Sequence, residues 1–205
     1  MTTKLNALDT IDAVIIKELD VIINNCNGAP FIKFLLLVTA IEFLGASADQ
    51  HPFNVNEIED SKRSRITTKR FRDGLKLLGK KYEKYAKANS NIDLYHDLRC
   101  GMVHNLKPTD NRIRLSEKRH QTNGIPENFY EHTDGSIFII LEDFYSDIKN
   151  AAIKLIEASD KGKLPNNTKL KATHIQINKT VISNPKSKDI NSTESSGGTS
   201  SNLTN

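Results

Sequence analysis

Helical spacing of apolar residues is the sequence feature that most limits what this chain can fold into. In residues 6–24 the apolar positions recur three or four apart, at Leu8, Ile11, Ile15, Leu19, Ile22 and Ile23. Residues 31–48 are apolar around most of the helix circumference, which is typical of a helix packed on several sides. Between the two segments, Gly28 and Pro30 provide a helix end and a helix start. The first half therefore predicts a pair of helices, with the second in the core.

The helical period continues after a predicted loop over residues 49–60. Residues 61–88 have an apolar stripe at i, i+4, i+7, i+11 and i+14, formed by Phe71, Leu75, Leu78, Tyr82 and Tyr85. Gly79 interrupts this segment and divides it into two helical pieces. A shorter helix over residues 92–104 follows, and we expect Ser90-Asn91 to cap it.

The period then changes from helical to alternating. Residues 112–116 alternate as in a half-buried strand, and residues 129–132 and 136–141 flank Asp134-Gly135, a strong hairpin signal. A last helix follows, with Glu142-Asp143 as its predicted cap. The predicted fold is mainly α, with a small β-hairpin or meander insertion over about residues 111–141.

Charge divides the chain near residue 160. The 205-residue chain has a net charge of +4, and the Ser-, Thr-, Asn- and Lys-rich segment 160–205 carries +4 by itself. Residues 1–159 are therefore neutral overall and long enough to bury a core without disulfides. We expect a helical domain over residues 1–159 and a disordered tail over residues 160–205, with a hint of strand alternation only at residues 174–182.

A membrane location is not expected from the sequence. The longest apolar stretch, residues 31–44, contains 14 residues and includes Lys33 and Glu42. A membrane-spanning helix needs about 20 apolar residues. Acidic residues stand near the N-terminus, where a secretory signal has its apolar core. The sequence therefore predicts a cytoplasmic protein.

Arg99 and His104, near the end of the helix over residues 92–104, are the candidate catalytic residues. Metal-independent RNA cleavage needs a group that moves protons between ribose and phosphate oxygens, which suits an imidazole. It also needs a fixed cation to stabilise the charge that develops on the phosphate, which suits a guanidinium. Five helical positions place the two side chains about 140° apart. The two groups can share one phosphate only if the helix loosens after Gly101 or a second subunit contributes. We expect the second arrangement, a homodimer in which two copies of the motif line one cleft.

A helical body with Arg99-x4-His104 at the end of its penultimate long helix resembles the HEPN superfamily (higher eukaryotes and prokaryotes nucleotide-binding). The resemblance covers about residues 6–159 and extends to a bacterial subgroup without an assigned activity. It implies a four- to five-helix bundle and a metal-independent endoribonuclease of the toxin–antitoxin or phage-defence class. It also implies that Arg99 and His104 are catalytic, that RNA is the substrate, and that an antitoxin or a defence-system protein is a partner.

Three residues are candidates for supporting roles. Glu42, in the apolar helix, would orient Arg99 or His104, or else form a structural ion pair or reach a helix edge. Asn105 can hydrogen-bond a phosphate, or it can cap the helix. Cys100 follows Arg99 at the position where catalytic HEPN members usually have Asn, Asp or His. This difference favours an alternative function, namely an inactive HEPN-like module that binds a nucleotide or a protein.

The segment 61–88 contains eleven basic and two acidic residues. It is the predicted RNA track, because lysine and arginine gain affinity by releasing counterions from phosphates. The chosen RNA-binding residues are Arg65, Lys69, Arg72, Lys76 and Lys80. The alternative is a solvated face balanced by acidic residues elsewhere in the neutral body.

A metal site is the weaker hypothesis. His96, Cys100 and His104 follow an i, i+4, i+8 spacing, but zinc usually takes four ligands with a second closely spaced pair. No metal and no cofactor are predicted.

Overall fold

The structure is a computed structural model that describes residues 2–120, 127–164, 170 and 175–178. This part of the chain contains six helices, and the mainly helical class predicted from the sequence is confirmed. Their bounds are 7–25 (α1), Pro30–Ala48 (α2), Asp60–Leu77 (α3), Lys80–Glu83 (α4), 94–105 (α5) and Leu141–Asp160 (α6). The middle of α1, Ile11–Glu18, and the start of α5, Leu94–Cys100, are π-helical.

Helix α2 is the central helix, as its nearly uniform apolar surface predicts. It packs against α1, α3, α5 and α6. By length and composition α2 could cross a membrane, but 56% of its most apolar 18-residue stretch is buried inside the protein. Its two charged residues each have an ionic partner: Lys33 lies 3.7 Å from Glu117, and Glu42 binds Arg99. Helix α2 is thus the core helix of a folded domain.

Helices α2 and α3 approach each other closely because each carries a glycine at the crossing. A Cβ atom added to Gly45 would lie 1.8 Å from the backbone oxygen of Arg70, and one added to Gly74 would lie 2.1 Å from that of Ile41. Any larger side chain would separate the backbones. The contact therefore fixes α3, with its basic face, on the central helix.

Within the described residues, five short strands form two sheets. They are Thr2–Leu5 (β1), Ile113–Ser116 (β2), Tyr130–Glu131 (β3), Ile137–Ile140 (β4) and Ile175–Asn178 (β5). In the three-stranded sheet the order is β2-β4-β3. The hairpin predicted around Asp134-Gly135 is confirmed: β3 and β4 are antiparallel, and Gly135 has a φ of 77° in the connecting turn. Strand β2, however, pairs parallel to β4, so the insertion is not a meander.

Strands β1 and β5 pair antiparallel, with Thr2 opposite Asn178 and Leu5 opposite Ile175. The alternation at residues 174–182 thus corresponds to a strand, and here the structure differs from the disordered tail expected over residues 160–205. The remainder of that prediction falls largely on residues 165–169, 171–174 and 179–205, which lie outside the described residues.

Two predicted helix caps are wrong. Helix α5 is capped by Asp93, whose carboxylate accepts a hydrogen bond from the Tyr95 amide at 3.0 Å. The predicted cap residues have other partners, since Ser90 Oγ donates to Ile92 O and Asn91 Oδ1 accepts from Arg112.

Helix α6 has Ile140 at its N-cap, and Glu142 and Asp143 lie in its first turn. Glu142 there accepts a hydrogen bond from the Lys118 amide at 2.8 Å. Asp143 lies 2.7 Å from Lys118 Nζ. Both acidic residues thus connect α6 to the segment after β2.

Candidate functional site

Arg99, in the π-helical part of α5, is held by Glu42 on α2. Arg99 Nε and Nη2 donate to Glu42 Oε2 at 2.8 and 2.7 Å, so both hydrogen bonds end on one carboxylate oxygen. The side chains are 18% and 22% exposed, and the pair is neither fully buried nor free in solvent. The contact of Glu42 with Arg99 fits two of the alternatives for Glu42, the residue that orients Arg99 and the structural ion pair.

The surroundings of Arg99 keep its charge. The Tyr95 ring lies 5.7 Å from the guanidinium carbon, a cation–π distance. Partial burial disfavours the charged form, but the Glu42 carboxylate outweighs burial and raises the pKa of Arg99 above its ordinary value. The site therefore presents a permanent cation in a fixed position.

His104 lies in the last turn of α5 and is exposed. Within the part of the chain that the structure describes, its imidazole makes no hydrogen bond or ion pair. The helix ends at Leu106, whose left-handed φ of 57° reverses the chain. The Thr109 amide then donates to Asp97 O at 2.8 Å, which holds the reversed chain against α5. The helix end that carries His104 is thus anchored.

Arg99 and His104 do not line a common cavity in one copy of the chain. Arg99 and Glu42 line a cavity of about 440 Å³ beside α2, and His104 is not among its lining residues. Arg99 lies in the π-helical segment that ends at Cys100, and His104 lies in the α-helical turn that follows it. The helix between them is therefore not the regular α-helix on which the expected angle of about 140° was based.

Sequence reasoning missed Arg70, a second arginine in the wall of this cavity. Arg70 is 2% exposed and its Nε donates to Asp49 Oδ2 at 2.6 Å. Its terminal nitrogens donate to the backbone carbonyls of His51, Pro52 and Phe53. The available signal was its position four residues from both Ile66 and Gly74, on the buried face of α3.

Four of the five predicted RNA-binding residues share a groove on α3. Arg65, Lys69, Arg72 and Lys76 line a cavity of about 470 Å³, together with Asp73. The fifth, Lys80, is exposed on α4 and is not among its lining residues. The structure thus brings most of the proposed track onto one surface.

Carboxylates partly neutralise this groove. Asp73 binds both Lys69 and Lys76, and Arg72 Nη2 lies 2.8 Å from Asp93 Oδ2. Burial tends to raise the pKa of Asp73, but the two lysine hydrogen bonds lower it below its usual value. Asp73 therefore stays ionised at neutral pH, and Arg65 is the lining cation for which the described residues include no carboxylate partner.

The other candidates have defined places. Cys100 is a half-buried free thiol beside Tyr95 and Arg99. Asn105 is an exposed residue at the end of α5, and the C-cap position itself belongs to Leu106. Tyr82 and Tyr85 are buried, as the apolar stripe predicts. Among the described residues, no three His, Cys, Asp or Glu side chains lie close enough to share a metal ion.

Comparisons of this chain with protein-family models, with curated proteins and with solved structures find no match.

Proposed function

We propose that the chain is an RNA endonuclease of the HEPN type that works as a homodimer. The observation that supports this most is the arrangement of α5: a guanidinium held by a carboxylate on the central helix, and an exposed imidazole five residues later on an anchored helix end. Neither group is closed off from solvent, as a shared RNA site requires. The resemblance of Arg99-x4-His104 to the HEPN motif supports the same function.

In the proposed reaction the ribose 2′-hydroxyl attacks the adjacent phosphorus and the bond to the 5′-oxygen breaks. The His104 imidazole accepts the 2′-hydroxyl proton and, as the imidazolium, passes a proton to the leaving 5′-oxygen. Arg99 of the other copy stabilises the charge that develops on the non-bridging oxygens. The products are a 2′,3′-cyclic phosphate and a 5′-hydroxyl, and no metal takes part in these steps.

The groove along α3 is the proposed RNA track, with Arg65, Lys69, Arg72, Lys76 and Lys80 as its cations. The cellular setting that we propose is the cytoplasm, in a toxin–antitoxin or phage-defence system. An antitoxin or a second defence protein would then control the activity.

The test is an RNA-cleavage assay in EDTA with wild type, Arg99→Ala and His104→Ala. We expect the wild type to cut RNA, and each variant to lose at least about 100-fold in rate, because general acid–base and charge-stabilising groups each contribute at least that much. Asn150→Ala, an exposed substitution on α6, is the matched control and should keep full activity. Equal rates in all four proteins would exclude the proposed chemistry.

A second function is favoured by one observation, the engagement of Arg99 with Glu42 and Tyr95. Such contacts would equally serve a non-catalytic HEPN-like module, in which Arg99 joins α5 to α2 and the surface binds a nucleotide or a protein. In that case no RNA is cut under any condition, and Arg99→Ala lowers stability or partner affinity only.

A further inference from the structure

The cavity beside Arg99 has the size and lining of a site for a small planar group. Its volume of about 440 Å³ lies within the usual range for ligand sites, roughly 300–1,000 Å³. One part of the wall is apolar and includes Phe43, Phe53, Val55 and Ala46. The rings of Phe43 and Phe53 lie 5.4 Å apart at an interplanar angle of 34°, so they offer two inclined faces. Aromatic faces of this kind stack on nucleic-acid bases.

The polar part of the wall includes a carboxylate oxygen with spare capacity. Both hydrogen bonds from Arg99 end on Glu42 Oε2. The described residues donate no hydrogen bond to Glu42 Oε1. An ionised carboxylate accepts about four hydrogen bonds, so Glu42 can accept further N–H groups from a molecule in the cavity.

Asn54 supplies a donor at the same cavity. Its Oδ1 accepts a hydrogen bond from the Asn56 amide at 3.0 Å, which orients the side chain. The amide nitrogen of Asn54 makes no hydrogen bond with the described residues, so it can donate to a carbonyl oxygen. The cavity wall therefore has a charged hydrogen-bond acceptor, Glu42, and a neutral donor, Asn54, next to aromatic rings.

Guanine is the base whose edge fits this combination. It presents two adjacent N–H donors, N1 and the 2-amino group, next to the O6 acceptor. Adenine and cytosine each present one exocyclic amino donor, and uracil presents one ring N–H between two carbonyls. A carboxylate acceptor thus gains a second hydrogen bond only from guanine.

From these features we propose that the cavity binds a guanine base of the RNA substrate, with Glu42 accepting its N1–H and 2-amino hydrogens and Asn54 donating to O6. The proposal rests on the proposed RNA cleavage, because Arg99 joins this cavity to the scissile phosphate. Glu42 thereby acts both as the positioning residue for Arg99 and as the residue that determines base specificity.

The test compares cleavage of RNA oligonucleotides that differ at one nucleotide, with guanine, inosine, adenine, cytosine or uracil next to the cut site. Inosine lacks only the 2-amino group. We expect guanine to be favoured over inosine by about tenfold in kcat/KM, the effect of one hydrogen bond to a charged group. Phe53→Ala should bring the guanine-to-adenine ratio close to one. Phe31→Ala, which removes an exposed ring outside this cavity, should leave the ratio unchanged.

A binding arm separates failure of this proposal from failure of the proposed function. Ligand-observed NMR with 5′-GMP, 5′-IMP and 5′-AMP measures base recognition without cleavage. Cleavage that depends on Arg99 and His104 but is equal at all bases would overturn the guanine site and leave the nuclease intact. A third outcome is that no RNA is cleaved, but the protein binds GMP at least about tenfold more tightly than IMP and Phe53→Ala abolishes GMP binding. The cavity would then remain a site for a free guanine nucleotide. No selectivity in either arm would overturn the guanine site.

Discussion

Two arginines line the same cavity, but their ion pairs differ in burial and in how many donors they use. Arg70 and Asp49 have side chains that are 3% exposed, and all three nitrogens of Arg70 are hydrogen-bonded, to Asp49 and to carbonyls of the loop after α2. Arg99 and Glu42 are about six to seven times more exposed, and their bonds end on one carboxylate oxygen. Arg70 therefore serves the fold, whereas the Arg99–Glu42 pair combines a fixed position with access to a ligand.

The largest stability effect is expected at the buried pair. Arg70→Ala would leave Asp49 without its main cation inside the protein, and we expect the free energy of unfolding to fall by about 3–5 kcal/mol. Urea denaturation followed by circular dichroism measures this loss. Arg65→Ala, an exposed position on the same helix, should change stability by less than about 0.5 kcal/mol. Similar values for the two variants would contradict the structural role of Arg70.

The Arg99–Glu42 pair should contribute less to the free energy of unfolding than the Arg70–Asp49 pair. Glu42 keeps access to water when Arg99 is removed, so we expect Arg99→Ala to lower the free energy of unfolding by about 1 kcal/mol. The same urea titration measures it. A loss as large as that of Arg70→Ala would make the Arg99–Glu42 pair mainly structural, and would favour the module without turnover.

Salt should distinguish the two pairs further. Ions screen partly exposed charges much more than buried charges. We expect the coupling energy from an Arg99–Glu42 double-mutant cycle, with alanine at both positions, to fall between low and high sodium chloride concentration. The coupling of Arg70 and Asp49 should stay nearly constant. A parallel decrease in both cycles would show that the two environments are alike.

The smallest stability effect is expected for a third kind of pair, on the basic face of α3. Asp73→Asn removes the carboxylate shared by Lys69 and Lys76, and should change stability at pH 7 by less than about 0.5 kcal/mol. Because the folded state lowers the pKa of Asp73, its stabilising effect is present above the ordinary carboxyl pKa and is lost as the pH falls through the folded value. Urea titrations of wild type and Asp73→Asn at several pH values measure this dependence.

RNA affinity should respond in the opposite direction to this substitution. Asp73→Asn frees two lysines for phosphate contacts, so filter binding should show tighter RNA binding and a steeper salt dependence than in wild type. Glu157→Gln on α6, an exposed acidic residue away from the groove, is the charge-matched control. Equal gains in both variants would reflect net charge alone and would remove the RNA track from the account.

Local features could be predicted from the sequence because they depend on nearby residues. The helical spacing of apolar residues predicts α1 and α2, and the Asp134-Gly135 signal predicts the hairpin. Gly79 predicts the break between α3 and α4. Asp93 was overlooked as the cap of α5 because Ser, Asn and Asp all favour this position, and only the structure shows which side chain reaches the Tyr95 amide. Where several neighbouring residues have a similar N-cap propensity, only tertiary contacts show which of them caps the helix.

Contacts between residues far apart in the chain could not be predicted from the sequence. Glu42 was a candidate partner of Arg99, but 57 residues separate them, and an ion pair with another group was equally compatible with the pattern. The parallel pairing of β2 with β4 and the pairing of β1 with β5 depend on how the helices place the strand ends. Arg70 is one of the eleven basic residues of the segment 61–88, and composition does not distinguish a buried arginine from an exposed one.

The central claim is that Arg99 and His104 act on one phosphodiester after two copies associate. The most direct measurement mixes Arg99→Ala with His104→Ala, each inactive alone, and follows RNA cleavage after subunit exchange. Mixed dimers contain one intact guanidinium and one intact imidazole on opposite copies, so the account predicts that cleavage returns in the mixture. A mixture that remains as inactive as its two components, under conditions where the wild type cuts RNA and subunit exchange is complete, would contradict it.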